Sequence, residues 1–178
     1  MWRLLTLHPD SLCAAVTRIE TQATRAAAGR LTLRYRVNGA VTDLVLPART
    51  APDRADGLWR HSCLEAFIGA PGDEAYVEFN LAPSTRWAAY RFDRYRQGMR
   101  PADMAGDPRI EVSLTDDRLE LTATVAVPIE GPWRIGLSAV IEEAGGRISY
   151  WALAHPPGKP DFHHALGHVL DLPATERP

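Results

Sequence analysis

Hydrophobic and polar residues alternate with a period of two along most of the chain. Four segments show the pattern: residues 31–38, 77–82, 110–114 and 119–127. In the first of them, Leu31, Leu33 and Tyr35 alternate with Thr32 and Arg34. A period of two places successive side chains on opposite faces, so each segment is predicted to be a half-buried β-strand.

Turn-forming residues separate these segments. They are Asn38-Gly39, Pro71-Gly72-Asp73, Asp116-Asp117, Gly131-Pro132 and Gly145-Gly146. The Asn-Gly pair between Val37 and Val41 predicts a tight hairpin, and so does the Gly-Gly pair. No window shows sustained helical periodicity. Many short strands at near-regular spacing predict an all-β fold, an antiparallel β-sandwich of jelly-roll or immunoglobulin-like type with roughly 10–12 strands.

Length and composition favour one folded unit. The 178 residues fit a single domain spanning 1–178, and 46% hydrophobic with 24% charged residues permits a packed core. A formal net charge of −2 does not attract nucleic acid or an anionic membrane. The first ten residues resemble no signal peptide, and no apolar run approaches the roughly 20 residues of a membrane span. We therefore expect a cytoplasmic protein without nucleic-acid or membrane partners, and its oligomeric state is not indicated.

The two cysteines are predicted to be free thiols. Cys13 and Cys63 lie far apart and form no CxxC pattern. His61 precedes Cys63 by two residues and shares its strand face, which is one requirement for a catalytic thiol. The sequence shows no oxyanion donor or third partner, so we interpret Cys63 as a small apolar residue.

A mixed polar and aromatic face is predicted for three strands within residues 61–93. If these strands are neighbours, alternation assigns one face to Glu65, Tyr76, Glu78, Asn80, Trp87 and Arg91. One interpretation is a solvated face with cross-strand ion pairs. The other is a ligand platform, on which rings stack against a sugar and polar groups bind its hydroxyls. Glu65 and Glu78 also permit the acid–base pair of a glycoside hydrolase.

The segment WALAHPPGKPDFHH at residues 151–164 collects three histidines and an aspartate. Alternation places Trp151 and His155 on one face of a terminal strand, and the prolines at 156–157 end its pairing. Three interpretations stay open: a structural loop, a rim loop that contacts a ligand, and a metal site. The spacing from His155 to His163 fits no zinc pattern, and adjacent His163 and His164 point in opposite directions. No metal ligands are predicted.

Three segments carry a family resemblance: LWRHSCLEAFI, AYVEFNLAPSTRWAAYRF and SYWALAHPPGKPDFHH. Together they resemble the bacterial DOMON-like proteins, which are related to type-nine carbohydrate-binding modules. In that wider group a W-x-x-D-x-x-E-x-F strand precedes a Y-x-E-F-x-x-x-P strand. The matching residues are Trp59, Glu65, Phe67, Tyr76, Glu78, Phe79 and Pro83. The resemblance runs from about residue 3 to 172 and implies a jelly-roll β-sandwich that binds a ligand rather than transforming one.

The resemblance and the mixed face together predict a module, not an enzyme, that binds a carbohydrate or a sugar-containing metabolite. The expected ligand-binding residues are Trp59, His61, Glu65, Glu78, Asn80, Trp87, Arg91, Trp151 and His155. In the wider group, sugar binders often carry structural calcium, whereas other members bind haem. Calcium and haem are therefore the cofactors that the resemblance raises, although the residues alone select neither.

Haem binding is the alternative function. A non-covalent haem or electron-transfer module needs axial ligands, for which Met99 or Met104 would combine with His61, His155 or His163. A glycoside hydrolase, a metal hydrolase using the histidines at 155–164, and a protein-interaction domain are further alternatives.

Overall fold

A computed structural model describes residues 1–26 and 29–175. The predicted domain span of 1–178 also includes residues 27–28 and 176–178, which lie outside the described residues. Within the described part no helix has the length and apolar character needed to cross a membrane. Three short 3-10 helices are formed there by Val41–Asp43, Leu58–Arg60 and Ala165–Gly167. The strands are β1 (Arg3–Leu7), β2 (Val16–Arg25), β3 (Arg30–Gly39), β4 (Cys63–Gly69), β5 (Tyr76–Leu81), β6 (Trp87–Phe92), β7 (Arg100–Pro101), β8 (Arg109–Leu114), β9 (Arg118–Ala126), β10 (Trp133–Glu142), β11 (Ile148–Ala152) and β12 (Leu170–Leu172).

The strands form two antiparallel sheets that share β1. The first sheet has the order β1-β2-β3-β9-β8, and the second has the order β1-β11-β10-β4-β5-β6-β7, with β12 beside β10. Arg3–Leu5 pair with β2, whereas Thr6 and Leu7 pair with β11, so β1 turns the corner between the sheets. The predicted antiparallel β-sandwich of roughly 10–12 strands is confirmed.

The main core lies between the inner faces of the two sheets. Leu33 and Leu121 from the first sheet and Phe79 and Ile135 from the second are fully buried in one apolar cluster. Burial of such side chains stabilises the sandwich by roughly 1.5–3 kcal/mol each. This cluster fixes which face of the longer strands is turned inward.

The second sheet is buried on its outer face as well. Every residue of β4 and β5 is buried. Phe67, Tyr76, Tyr90 and Phe92 form a second cluster with Ala88 on that outer face, and Phe162 packs against them. The segment of residues 153–169, between β11 and β12, therefore covers the outer face of the second sheet. The candidate site lies beneath this segment.

The two predicted hairpins have different outcomes. The Gly145-Gly146 hairpin is confirmed, since it joins β10 to β11 with Gly146 at a φ of 77°. The Asn38-Gly39 hairpin is wrong: β3 ends at Gly39, and its partners are β2 and β9. Glycine is required there because a Cβ would collide with the carbonyl oxygen of Ala15.

Candidate functional site

A cavity of about 350 Å³ lies on the outer face of the second sheet. Its lining comprises Trp59, Glu65, Phe67, Glu78, Phe92, Arg96, Met99, Val140, Tyr150, Pro160, Phe162 and His163. This volume falls in the range of small-molecule sites, and the lining combines apolar rings with a few polar groups, as such sites do.

Two carboxyl groups from adjacent strands line the cavity on the sheet side. Glu65 on β4 lies opposite Asn80 on β5, and Glu78 lies opposite Phe67, so both glutamates project from the same face. Their exposed fractions are only 2% and 5%. The Asn80 amide donates to Glu78 Oε1 at 2.6 Å, and the Ser138 hydroxyl donates to Glu65 Oε2 at 3.4 Å.

Burial governs the ionisation of this pair. Desolvation raises the pKa of Glu65 well above its ordinary value, and the nearby charge of Glu78 raises it further. Desolvation also raises the pKa of Glu78, although the Asn80 hydrogen bond and the charge of Arg96 oppose that change. The pair therefore retains a proton to higher pH than exposed carboxyl groups do.

His163 is held over the carboxyl pair by Tyr76. The backbone N–H of Arg96 donates to the Tyr76 hydroxyl at 3.2 Å, and that hydroxyl lies 2.8 Å from His163 Nδ1. Because Nε2 of the same ring faces an acceptor, Glu78 Oε2 at 3.9 Å, we assign the proton of the neutral ring to Nε2, so that the Tyr76 hydroxyl donates to Nδ1. Burial and the charge of Arg96 lower the pKa of His163 to about 4, so the ring is neutral at pH 7.

An ion pair connects the turn after β6 to the covering segment. Arg96 has a φ of 53°, an uncommon conformation for a residue with a side chain, and its guanidinium donates to Asp161 Oδ1 at 2.8 Å. The Tyr95 hydroxyl donates to the other carboxylate oxygen at 2.6 Å. Burial raises the pKa of Asp161, but the hydrogen bonds from Tyr95 and Arg96 outweigh it and hold the pKa below its ordinary value.

Aromatic rings form much of the remaining wall. Trp59, in the helix Leu58–Arg60, stays 38% exposed and makes an edge contact with Tyr90 at 6.0 Å between ring centroids. The Tyr90 hydroxyl donates to Asp56 Oδ1 at 2.5 Å, which fixes the ring that supports Trp59. Phe162 from the covering segment makes an edge contact with Tyr150 at 6.0 Å.

Three of the nine expected ligand-binding residues line the cavity: Trp59, Glu65 and Glu78. Asn80 lies fully buried beside the cavity and orients Glu78 through their hydrogen bond. The remaining five lie elsewhere.

The assignment of Trp87 and Arg91 to the mixed face is wrong. In the β5–β6 pairing, Trp87 lies opposite Leu81 and Arg91 lies opposite Val77, so both project from the inner face. Trp87 is 6% exposed and belongs to the core between the sheets. A shift of one residue in register exchanges the faces of a whole strand, and the actual register turns Tyr90 and Phe92 outward.

Trp151, His155 and His61, also expected at the ligand site, lie outside the cavity lining. Trp151 lies opposite Ala139 and packs into the core between the sheets, so its neighbour Tyr150 is the residue of β11 that reaches the cavity. His155 Nε2 lies 2.8 Å from the carbonyl oxygen of Thr6. His61 Nδ1 lies 2.7 Å from Glu142 Oε2 at an exposed position. Both histidines thus have structural partners outside the cavity lining.

Nine lining residues were absent from the expected set: Phe67, Phe92, Arg96, Met99, Val140, Tyr150, Pro160, Phe162 and His163. Assigning the other set of alternate residues on β6 and β11 to the outer face would have identified Phe92 and Tyr150. Pro160 and Phe162 lie in the 151–164 segment, for which a ligand-contacting rim was one open interpretation. The pattern around Arg96 carried no signal, because its role depends on an unusual backbone conformation.

The residues considered for other chemistries have varied positions. Met99 and His163 line the same cavity, whereas Met104 packs against the core between the sheets. In the described residues, no group of three or more histidine, cysteine, aspartate or glutamate side chains could hold a metal ion. Cys63 is fully buried, and desolvation followed by the charge of Glu65 raises its thiol pKa well above the ordinary value, which disfavours a nucleophilic thiolate.

No family model and no curated protein matches this sequence. Two solved structures are similar in fold. A candidate carbohydrate-binding protein from Bacteroides uniformis is 15% identical with a TM-score of 0.67, over 95% of this chain and 84% of that one. A family-nine carbohydrate-binding module from Caldicellulosiruptor kristjanssonii, in complex with cellotriose, is 16% identical with a TM-score of 0.52, over 89% and 74%. The expected relation to type-nine modules is thus confirmed at the level of the fold, while the DOMON-like resemblance stays a prediction.

Proposed function

We propose that this protein is a non-catalytic module that binds a carbohydrate or a sugar-containing metabolite in the cavity on the second sheet. The observation that carries the proposal is the joint presence of aromatic rings and two buried carboxyl groups in one cavity of about 350 Å³. The fold similarity to a module solved with cellotriose supports it.

The lining suits the two kinds of surface that a sugar presents. Rings such as those of Trp59 and Phe162 offer flat apolar surfaces to the C–H face of a pyranose. Carboxyl oxygens of Glu65 and Glu78 accept hydrogen bonds from sugar hydroxyls, and the Nε2–H of His163 is a nearby donor. A few placed polar groups among apolar walls give orientation and specificity.

Isothermal titration against a panel of monosaccharides, cello-oligosaccharides and nucleotide sugars tests the proposal. We expect saturable binding of at least one member and its loss in Trp59→Ala. The matched control is Trp2→Ala. The guanidinium of Arg36, on β3 of the first sheet, lies over the Trp2 ring, and Trp2 does not line the cavity. The control is expected to keep full binding.

Two outcomes would contradict the proposal. Absence of heat with every member of the panel would remove sugar binding. A Soret band on adding haem, abolished in Met99→Ala, would favour the haem alternative, since Met99 and His163 share the cavity.

A further inference from the structure

The carboxyl pair in the cavity lacks a matching positive charge. Glu65 has no ion-pair partner among the described residues, and its side chain accepts one 3.4 Å hydrogen bond from Ser138. Glu78 accepts from the neutral amide of Asn80, and its nearest cationic candidate is His163 at 3.9 Å. Buried carboxylates are costly unless a cation or several donors compensate them.

The basic groups nearby compensate the pair only in part, since the charge of Arg96 acts on Glu78 without a direct ion pair. His163 accepts a hydrogen bond from the Tyr76 hydroxyl at Nδ1 and is neutral at pH 7, because burial lowers its pKa to about 4. The guanidinium of Arg96 lies against Asp161 at 2.8 Å, in an ion pair of its own. The cavity therefore keeps an excess of negative charge whenever either glutamate ionises.

The walls above the pair also favour a cation. Trp59, Phe92, Tyr150 and Phe162 line the cavity, and the faces of aromatic rings carry negative potential that attracts ammonium groups. The Met99 thioether adds a polarisable surface at the rim. Aromatic rings around a pair of carboxyl groups are the arrangement expected for a ligand with a positively charged group.

We propose that the cavity selects a saccharide carrying a protonated amino group, with the ammonium placed between the carboxylates of Glu65 and Glu78. This inference rests on the proposed function and specifies the ligand class of the same site. The ammonium would stabilise the ionised form of both carboxyl groups and donate charged hydrogen bonds to them, while the ring hydroxyls and C–H face use the remaining polar atoms and aromatic walls. A neutral sugar would not stabilise the ionised form of the pair.

The test compares three sugars that differ at one position. Glucosamine, N-acetylglucosamine and glucose are titrated into the native protein at about pH 6.5, where the amine of glucosamine is protonated. We expect glucosamine to bind at least about tenfold more tightly than either neutral sugar, as a charged hydrogen bond allows. Glu65→Gln and Glu78→Gln should each remove that preference, while Glu111→Gln, at an exposed position on β8, should keep it.

The outcomes separate this inference from the proposed function. Equal binding of glucose and glucosamine would overturn amine selection and leave sugar binding intact. No binding of any sugar would overturn sugar binding itself. Cyclohexylamine, which has no hydroxyl groups, should bind at least tenfold more weakly than glucosamine, and equal binding would overturn the saccharide part. Circular dichroism verifies folding of the variants. If a variant misfolds, the order of affinities of the three sugars for the native protein decides the test.

Discussion

The Tyr76 hydroxyl lies 2.8 Å from Nδ1 of His163, and this hydrogen bond joins β5 to the segment that covers the second sheet. The same hydroxyl accepts a hydrogen bond from the backbone N–H of Arg96 at 3.2 Å, so one phenol group links three parts of the cavity wall. A neutral histidine ring accepts a hydrogen bond at one nitrogen, whereas both nitrogens of a protonated ring donate. The direction of this hydrogen bond is therefore coupled to the ionisation state of His163.

Replacing Tyr76 by Phe should destabilise the covered state. The change leaves His163 Nδ1 without its donor, and we expect the free energy of unfolding to fall by about 0.5–1.5 kcal/mol. Urea denaturation measures the difference. Tyr150→Phe is the matched control, because within the described residues the Tyr150 hydroxyl makes no hydrogen bond, and an equal loss in both variants would contradict the role of the Tyr76 contact.

Stability should depend on pH through His163. Its pKa falls from 6.5 to about 4 on folding, so between these values the unfolded chain binds more protons and stability decreases as the pH falls. His163→Asn removes this contribution. The difference in free energy of unfolding between the native protein and this variant should be largest near pH 7 and shrink towards pH 4. A difference that stays constant with pH would contradict the prediction.

Ionisation of Glu65 should change stability with pH in the opposite direction to ionisation of His163. Burial raises its pKa on folding, so above the ordinary value the native state binds more protons and stability decreases as the pH rises. Glu65→Gln keeps the shape without the charge and should gain stability relative to the native protein with a slope of up to about 1.4 kcal/mol per pH unit. Thermal unfolding from pH 4 to 8 measures it, and the exposed Glu111→Gln should show no such trend.

A single methyl group should disturb the covering segment. Gly136 on β10 faces the ring of His168, and an added Cβ would collide with His168 Cδ2. We expect Gly136→Ala to lower stability by about 1–3 kcal/mol, because the ring and its hydrogen bond to the Phe162 carbonyl must shift. Gly145→Ala meets open space and should change stability by less than about 0.5 kcal/mol. Similar losses of stability in the two variants would contradict the predicted collision with His168.

The sequence pattern predicted the strands well because most of them bury one face only. β3 and β9 alternate strictly between buried and less buried residues, as their hydrophobic pattern indicates. β4 and β5 are buried on both faces, so buried and exposed residues do not alternate along them and the outward face cannot be identified that way. The errors on Trp87 and Trp151 have a related cause: on β6 and on β11 both faces carry large aromatic side chains, so the pattern did not identify the outward one.

The covering segment lay beyond prediction for a different reason. Its contacts join residues far apart in the chain, such as Arg96 with Asp161 and Tyr76 with His163, 65 and 87 positions away. Local turn chemistry in 151–164 indicated a rigid exit from a strand but not the surface on which it would lie. Glu65 and Glu78 could be paired from the pattern because adjacent strands of a hairpin bring them together.

The hydroxyl of Tyr35 donates to the backbone carbonyl of Glu65 at 2.6 Å across the sandwich, and β1 belongs to both sheets. The strand that carries Glu65 is thus anchored from behind before any ligand arrives. Folding has already removed the conformational freedom of this receptor surface, so the entropy of ordering on association falls mainly on the ligand and the rim. Stiff, ring-shaped ligands gain the most from a receptor of this kind.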